Sequence, residues 1–136
     1  SDVYKRQILV TTDGSELSDK AVDTAVELAR QLGADLIGMT SVVSPAPQKG
    51  FEGEEEPVKD RLRSVLRKAS EKGVHCDIVA EHSDSISAGV LECAKRNNVE
   101  FIVMASRGLG TIGALLLGSE TQKVLHQADR PVLVVR

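Results

Sequence analysis

Short runs of β-branched residues alternate with helical periodicity along this chain, and that alternation limits the folds open to it. Parallel strands need a long crossover between them, and an amphipathic helix is the usual crossover. The pattern predicts strands over residues 7–13, 35–43, 74–81, 99–105 and 131–135, with a helical segment between each pair. We therefore expect an α/β fold with an open, five-stranded parallel sheet and helices on both faces.

Local signals predict where several helices begin. Pro57 suits the first residue of the second helix, because its missing N–H is not needed there. Ser83 or Asp84 is predicted to cap the third helix. Ser119 and Gln122 have the spacing of a capping box, which predicts a short fourth helix.

Composition excludes several classes of protein. With 136 residues, 41% of them hydrophobic, the chain is expected to form one domain over residues 1–136. A net charge of −3 and 2% aromatic residues argue against nucleic-acid binding, which needs a basic patch and stacking platforms. No apolar run approaches the ~20 residues of a membrane span, and residues 1–7 lack a signal-peptide core. We expect a cytoplasmic protein with no membrane partner.

The two cysteines and the acidic connector have unremarkable interpretations. Cys76 and Cys93 lack the clustered spacing of a metal site, so we expect buried, reduced thiols. Residues 44–57 contain three prolines and the acidic run 52–56, which predicts an exposed loop. A basic partner is one explanation for the acidic run, but we favour a solvated connector.

Two phosphate-binding motifs match the glycine-rich stretch 108–119 only in part. Gly108, Gly110 and Gly113 have GxGxxG spacing, yet a dinucleotide site also needs an acidic residue ~20 positions on, and none is present there. Gly113 and Gly118 have the outer spacing of a P-loop, but Ser119 stands where its lysine belongs. We expect neither site.

A third, longer pattern does fit. Residues 105–108 are followed by nine residues and then Gly118 and Ser119, which resembles the Gly-x2-Gly-x9-Gly-Ser/Thr motif of the universal stress protein family. The resemblance extends over nearly the whole chain. Its other matching segments are residues 10–15 with Ser18, Ala21 and Ala25, then residues 33–36, 116–119, 124–128 and 131–135.

Strand order would place a ligand site independently of that resemblance. If the first three strands extend one way and the last two the other, the order is 3-2-1-4-5, and a topological switch lies between strands one and four. Asp13 and residues 105–108 would face each other there. First-turn N–H groups at Ser119 to Thr121 would attract a phosphate, and Arg107 would add a charge. Taken singly, Asp13 can be explained as a turn residue, Ser119 as a helix cap and Arg107 as a surface charge. Taken together at one switch point, they favour a ligand site.

The resemblance implies a Rossmann-like, adenine nucleotide alpha hydrolase-like fold that binds ATP or AMP with Mg²⁺. Adenine would contact Thr11, Thr12 and Ser41, and ribose would contact Asp13, Met104 and Ala105. The phosphates would lie over Arg107, Gly108, Gly118, Ser119, Glu120 and Thr121. No residue is expected to bind metal directly, although Asp13 could hold Mg²⁺ through water.

Two residues depart from the family pattern. Ala105 replaces the first motif glycine, which matters if the backbone there needs a positive φ. Glu120 follows Gly118-Ser119 where the family usually has a small apolar residue, and it places negative charge near the expected phosphates. These departures keep open an alternative function, a nucleotide-free dimeric interaction protein whose apolar residues 114–117 bind a partner.

Histidine spacing argues against an enzyme. His75, His82 and His126 are scattered, and no base is expected beside Ser106 or Ser119. We predict a regulatory binding module in the stress response, although weak ATPase or phosphotransferase activity stays open. The resemblance also implies a homodimer through the last strand, whose apolar edge residues are Val132, Leu133, Val134 and Val135.

Overall fold

The computed structural model describes residues 6–108 and 117–136. Within them the strands are β1 (Gln7–Thr11), β2 (Asp35–Val42), β3 (Cys76–His82), β4 (Phe101–Ala105) and β5 (Val132–Val135). The helices are α1 (Glu16–Leu32), α2 (Glu56–Glu71), α3 (Ile86–Arg96) and α4 (Ser119–Gln127), and a 3-10 helix, Gly50–Gly53, lies between β2 and α2. Every predicted strand and helix is present, and the strand ends differ by one or two residues.

All strand pairs in the sheet are parallel, in the order β3-β2-β1-β4-β5. This confirms the predicted α/β class and strand order. Val10 of β1 lies between Gly38 of β2 and Val103 of β4. The strand order therefore reverses at the gap between β1 and β4, and the carboxyl ends of both strands open on the same edge of the sheet.

Both faces of the sheet are buried, and successive residues of each strand point to opposite faces. Ile8 and Val10 belong to the core cluster packed with α1 and α2, whereas Leu9 belongs to the cluster packed with α3 and α4. In β4, Val103 belongs to the first cluster and Ile102 to the second. A core of small aliphatic side chains explains how the chain folds with few aromatic residues.

Two glycines let helices lie close to β2. A β-carbon at Gly38 would come within 2.6 Å of Val65 Cγ1 on α2. A β-carbon at Gly89 of α3 would come within 2.6 Å of Ser41 Oγ. These close approaches place one end of α3 beside the carboxyl end of β2, next to the gap between β1 and β4.

The predicted cap of the third helix is wrong, and the predicted start of the second helix is one residue late. The third helix is capped by Ser85, whose Oγ accepts from Ala88 N at 3.1 Å, and not by Ser83 or Asp84. Ser83 is already used, since its N donates to Val42 O and its hydroxyl donates to Ser85 O. The second helix begins one residue before Pro57, which occupies its first turn.

The capping box predicted for the fourth helix is also wrong. Ser119 is the first residue of α4, Gly118 is the N-cap, and no side chain in the described segments caps this end. The side-chain amide of Gln122 instead donates to Leu117 O at 2.9 Å, on the residue just before the N-cap. The first turn of α4 therefore keeps N–H groups that no helix carbonyl can satisfy.

The acidic connector is less solvated than predicted. The Glu54 side chain is only 6% exposed, and its Oε2 lies 2.7 Å from His82 Nε2. His82 Nδ1 faces Ser44 O at 2.8 Å, so both ring nitrogens lie beside acceptors, an arrangement that favours the protonated imidazole. Burial opposes that charge, but the hydrogen bonds to Glu54 and Ser44 outweigh it and raise the pKa of His82. One glutamate of the acidic run is thus a structural residue.

Both cysteines are free and buried, as predicted. Burial raises the pKa of the Cys76 and Cys93 thiols to about 11, which keeps them protonated and unreactive. Across residues 6–108 and 117–136 there is no cluster of His, Cys, Asp or Glu that could hold a metal ion. No helix in this part of the chain is long and apolar enough to cross a membrane.

Candidate functional site

A cavity of about 360 Å³ opens at the carboxyl ends of β1 and β4, where the strand order reverses. Its volume lies within the range typical of small-molecule sites. The structure brings all of the predicted site residues to its walls: Thr11, Thr12, Asp13, Ser41, Met104, Ala105, Arg107, Gly108, Gly118, Ser119, Glu120 and Thr121. It adds three that the sequence analysis missed, Ser18, Arg61 and Ile86.

Asp13 both closes a turn and lines the cavity. Its Oδ1 accepts from Ser15 N at 2.9 Å, which closes the turn between β1 and α1. Its Oδ2 lies where a β-carbon would stand at residue 108, so any larger residue there would have to displace this carboxylate. The two sides of the cavity meet at this contact.

Thr12 forms a rigid floor beneath that turn. Its N donates to Met39 O at 2.9 Å, and its carbonyl accepts from Thr40 Oγ1 at 2.7 Å. The Ser18 hydroxyl donates to Ser15 O, so the Thr12 hydroxyl is the donor in the 3.0 Å contact between Thr12 and Ser18. Ser18 was missed although its position gives a signal, since it is a polar residue on the buried face of α1.

The end of β4 is tied to the start of α4. Gly118 N donates to Ser106 O at 2.7 Å, and Thr121 Oγ1 donates to Ala105 O at 3.0 Å. Among the described non-glycine residues only Asn98 has a positive φ, so Ala105 carries no such penalty. The replacement of the motif glycine by Ala105 therefore leaves the backbone unstrained at the cavity wall.

Two arginines supply positive charge to the cavity. Arg107 Nε is buried and has no hydrogen-bond partner within the described ranges. Arg61 reaches the cavity from α2, and a β-carbon at Gly14 would come within 2.9 Å of its Nε. Arg61 was missed, although it shares the inward face of α2 with the buried Val58 and Val65, three and four residues away.

Glu120 turns its carboxylate toward α3. Its Oε1 accepts from Ser87 N at 2.8 Å, and its Oε2 accepts from Lys123 Nζ at 2.9 Å. The hydrogen bond from Lys123 and then the one from Ser87 N–H hold the pKa of Glu120 below its usual range. Glu120 still lines the cavity, so its negative charge belongs to the site.

Ser41 and Ile86 complete the wall on the β2 side. The Ser41 hydroxyl donates to Ile86 O at 2.8 Å, which leaves its oxygen free only to accept. Ile86 is 43% exposed at the start of α3 and gives this side an apolar surface. An apolar wall beside backbone acceptors and hydroxyls can hold a flat, uncharged ring.

Other predictions lie away from this cavity. His75, His82 and His126 are absent from its described walls, so no histidine is placed to act as a base there. In the glycine-rich stretch, residues 109–116 lie outside the described residues; they include Gly110, Gly113 and most of the apolar segment 114–117. β5 is an edge strand whose Leu133 is 39% exposed.

Comparison with known proteins yields one family. A model of the universal stress protein family matches residues 5–136. The universal stress protein YxiE of Bacillus subtilis is 32% identical over 146 residues, which cover 96% of this chain and 98% of YxiE. A universal stress protein of Thermus aquaticus, from the QAH/OAS sulfhydrylase 3' region, is 33% identical, with 96% of this chain and 98% of that protein covered.

Solved structures agree with these sequence matches. The crystal structure of a universal stress protein in complex with cAMP superposes with a TM-score of 0.77 at 28% identity. The superposition covers 97% of this chain and 97% of that one. The likeness therefore includes both the sheet and the edge of it on which the cavity opens.

Proposed function

The chain belongs to the universal stress protein family, and on that premise we propose that it binds an adenine nucleotide, ATP or AMP, as a regulatory module. One observation carries the proposal: the Asp13 carboxylate and the open first turn of α4 line the same cavity. A nucleotide offers ribose hydroxyls to the first and a phosphate to the second. The relative solved with cAMP supports a ligand of this class.

Each part of the nucleotide has a proposed partner. The ribose hydroxyls would donate to Asp13, which also stands where water-bound Mg²⁺ would be held. A phosphate would accept from the first-turn N–H groups of α4 and from Arg107 Nε. Adenine would lie against the wall formed by Thr11, Ser41 and Ile86.

A regulatory role without chemistry is part of the proposal. General acid–base catalysis needs a titratable group near the reacting atom, and the histidines lie elsewhere. We extend the stress-response role of the relatives to this chain on the strength of family membership. Two buried, reduced cysteines support placing it in the cytoplasm.

We propose a homodimer formed through β5. Val132, Leu133, Val134 and Val135 form an apolar edge strand, which must be covered or paired. A second copy of the same strand is a self-complementary cover under two-fold symmetry. Neither nucleic acid nor a membrane is a proposed partner.

Glu120 favours a second candidate, the nucleotide-free dimeric interaction protein. A fixed carboxylate in the cavity wall repels anionic ligands. If that repulsion prevails, the fold would serve protein contacts alone.

Calorimetric titration with AMP and ATP, with and without Mg²⁺, tests the proposal on protein first freed of co-purified nucleotide. Asp13→Asn keeps an oxygen for Ser15 N–H and removes only the charge, so we expect at least tenfold weaker binding. Asp60→Asn, on the exposed face of α2, is the matched control and should leave binding unchanged. No heat with the wild-type protein, and no bound nucleotide on purification, would leave the interaction protein as the better account.

A further inference from the structure

Two helices begin at the proposed nucleotide cavity. Ile86 is the first residue of α3 and Ser119 the first of α4, and both line its wall. The N-terminal end of each helix carries partial positive charge and N–H groups that no carbonyl of the helix accepts, so each is a place where an anion is stabilised. The cavity thus offers two neighbouring positions for negative charge.

The position at α3 is already filled from within the chain. Glu120 Oε1 accepts from Ser87 N at 2.8 Å, while Ser85 Oγ caps Ala88 N at 3.1 Å. Lys123 Nζ holds the other carboxylate oxygen at 2.9 Å. Bound on both oxygens, the carboxylate is fixed in place and stays ionised.

The position at α4 is open by comparison. Its N-cap is Gly118, which has no side chain to offer. Beside it Arg107 Nε is buried without a partner among residues 6–108 and 117–136. A β-carbon at residue 118 would come within 3.2 Å of Arg107 Cα, so glycine lets this helix end lie close to Arg107. The first-turn N–H groups and Arg107 are donors for an anionic group at this end.

We propose that Glu120 acts as a built-in anion that restricts this cavity to nucleotides with one phosphate, such as AMP or a cyclic monophosphate, and disfavours ATP. This inference rests on the proposed nucleotide site and names its substrate class. The first phosphate takes the open end of α4. Any further phosphate would lie in the same cavity as the Glu120 carboxylate, and we expect repulsion between these like charges to weaken binding roughly tenfold.

The test is calorimetry with AMP and ATP in EDTA, so that no Mg²⁺ screens the phosphates. We expect the wild-type protein to bind AMP at least tenfold more tightly than ATP. Glu120→Gln keeps the acceptor for Ser87 N–H and loses the charge, so it should strengthen ATP binding about tenfold and change AMP binding less than threefold. Glu92→Gln, on the exposed side of α3, is the control and should change neither affinity.

A second variant keeps the test independent of how well Glu120→Gln folds. Lys123→Met removes the cation that partly neutralises the carboxylate, so the preference for AMP should increase about threefold. Equal binding of AMP and ATP by the wild-type protein would overturn the inference while leaving the nucleotide site intact. Equal gains for both ligands in Glu120→Gln would also overturn it. Binding of neither nucleotide would overturn the proposed function and this inference together.

Discussion

The two edge strands of the sheet differ in length and in chemistry. β3 (Cys76–His82) has seven residues and carries three titratable side chains beyond its cysteine, those of Asp77, Glu81 and His82. β5 (Val132–Val135) has four residues, all valine or leucine. Charged side chains protect an edge strand from pairing with another chain, whereas a short apolar edge invites pairing.

The charges at the β3 edge are satisfied within the chain. Arg96 donates two hydrogen bonds to the buried Glu81, at 3.0 and 2.5 Å. His82 donates to Glu54 across the connector that precedes α2. One edge thus carries charged side chains that are paired within the chain, whereas the other is the apolar edge through which we propose dimerisation.

A lysine in β5 should break the proposed dimer. Leu133→Lys replaces an apolar contact with a charge in both subunits, which should weaken dimerisation by about 3 kcal/mol, or more than a hundredfold. Sedimentation equilibrium gives the mass directly. Leu32→Lys is the control, since Leu32 is equally exposed at 42% but ends α1. An unchanged mass for Leu133→Lys would refute dimerisation through β5.

Removing the Glu54 charge, which pairs with His82 of β3, should lower the free energy of unfolding by an amount that depends on pH. The folded pKa of His82 is raised above its ordinary 6.5, so the pair stabilises fully below about pH 6.5 and loses effect as the pH rises through the folded pKa. Glu54→Gln should therefore lower the free energy of unfolding by about 2 kcal/mol at pH 6 and by less at pH 9, as measured by urea denaturation.

The control for that experiment is His75→Gln. His75 is 64% exposed at 3.8 Å from Asp77, so its replacement should change the free energy of unfolding little. Glu81 is the other carboxylate whose charge acts on His82, and it remains in both variants. An equal loss for Glu54→Gln at both pH values would contradict the expected weakening of the Glu54–His82 pair as the pH rises.

A charge-conserving change at Arg96 should have the smallest effect. Arg96→Lys keeps the charge but loses one of the two parallel hydrogen bonds to Glu81, a cost of about 1 kcal/mol. Arg30→Lys, which alters an exposed pair with Glu27, should leave the thermal midpoint in place. If Arg96→Lys and Arg30→Lys change the thermal midpoint by the same amount, burial of Glu81 does not strengthen its ion pair with Arg96.

The order of strands and helices could be predicted because it depends on local periodicity, and periodicity is written in the sequence. Strands buried on both faces read as apolar runs, and each helix keeps an apolar stripe. Helix caps were predicted less well. Ser83 and Gln122 have the right chemistry for a cap, but hydrogen bonds to Ser85 O and Leu117 O use their side chains elsewhere.

The cavity could be predicted where it depends on strand ends, since the carboxyl ends of parallel strands meet on one edge. Asp13 and Gly108 were found in this way. Arg61 could not be predicted, because whether its side chain extends into the cavity depends on how closely α2 lies over Gly14. The bond between Glu54 and His82 joins residues 28 apart, and no local pattern signals it.

The contact between Gly108 and Asp13 has a consequence for genetics. A methyl group at residue 108 would occupy the space of the Asp13 carboxylate, yet it lies in a surface cavity and outside both core clusters. We therefore expect Gly108→Ala to be a separation-of-function allele: it would displace the Asp13 carboxylate from the proposed ligand site and leave the core clusters and the β5 edge unchanged. Comparing a Gly108→Ala strain with a deletion strain would separate the phenotypes caused by loss of the proposed ligand site from those caused by loss of the protein.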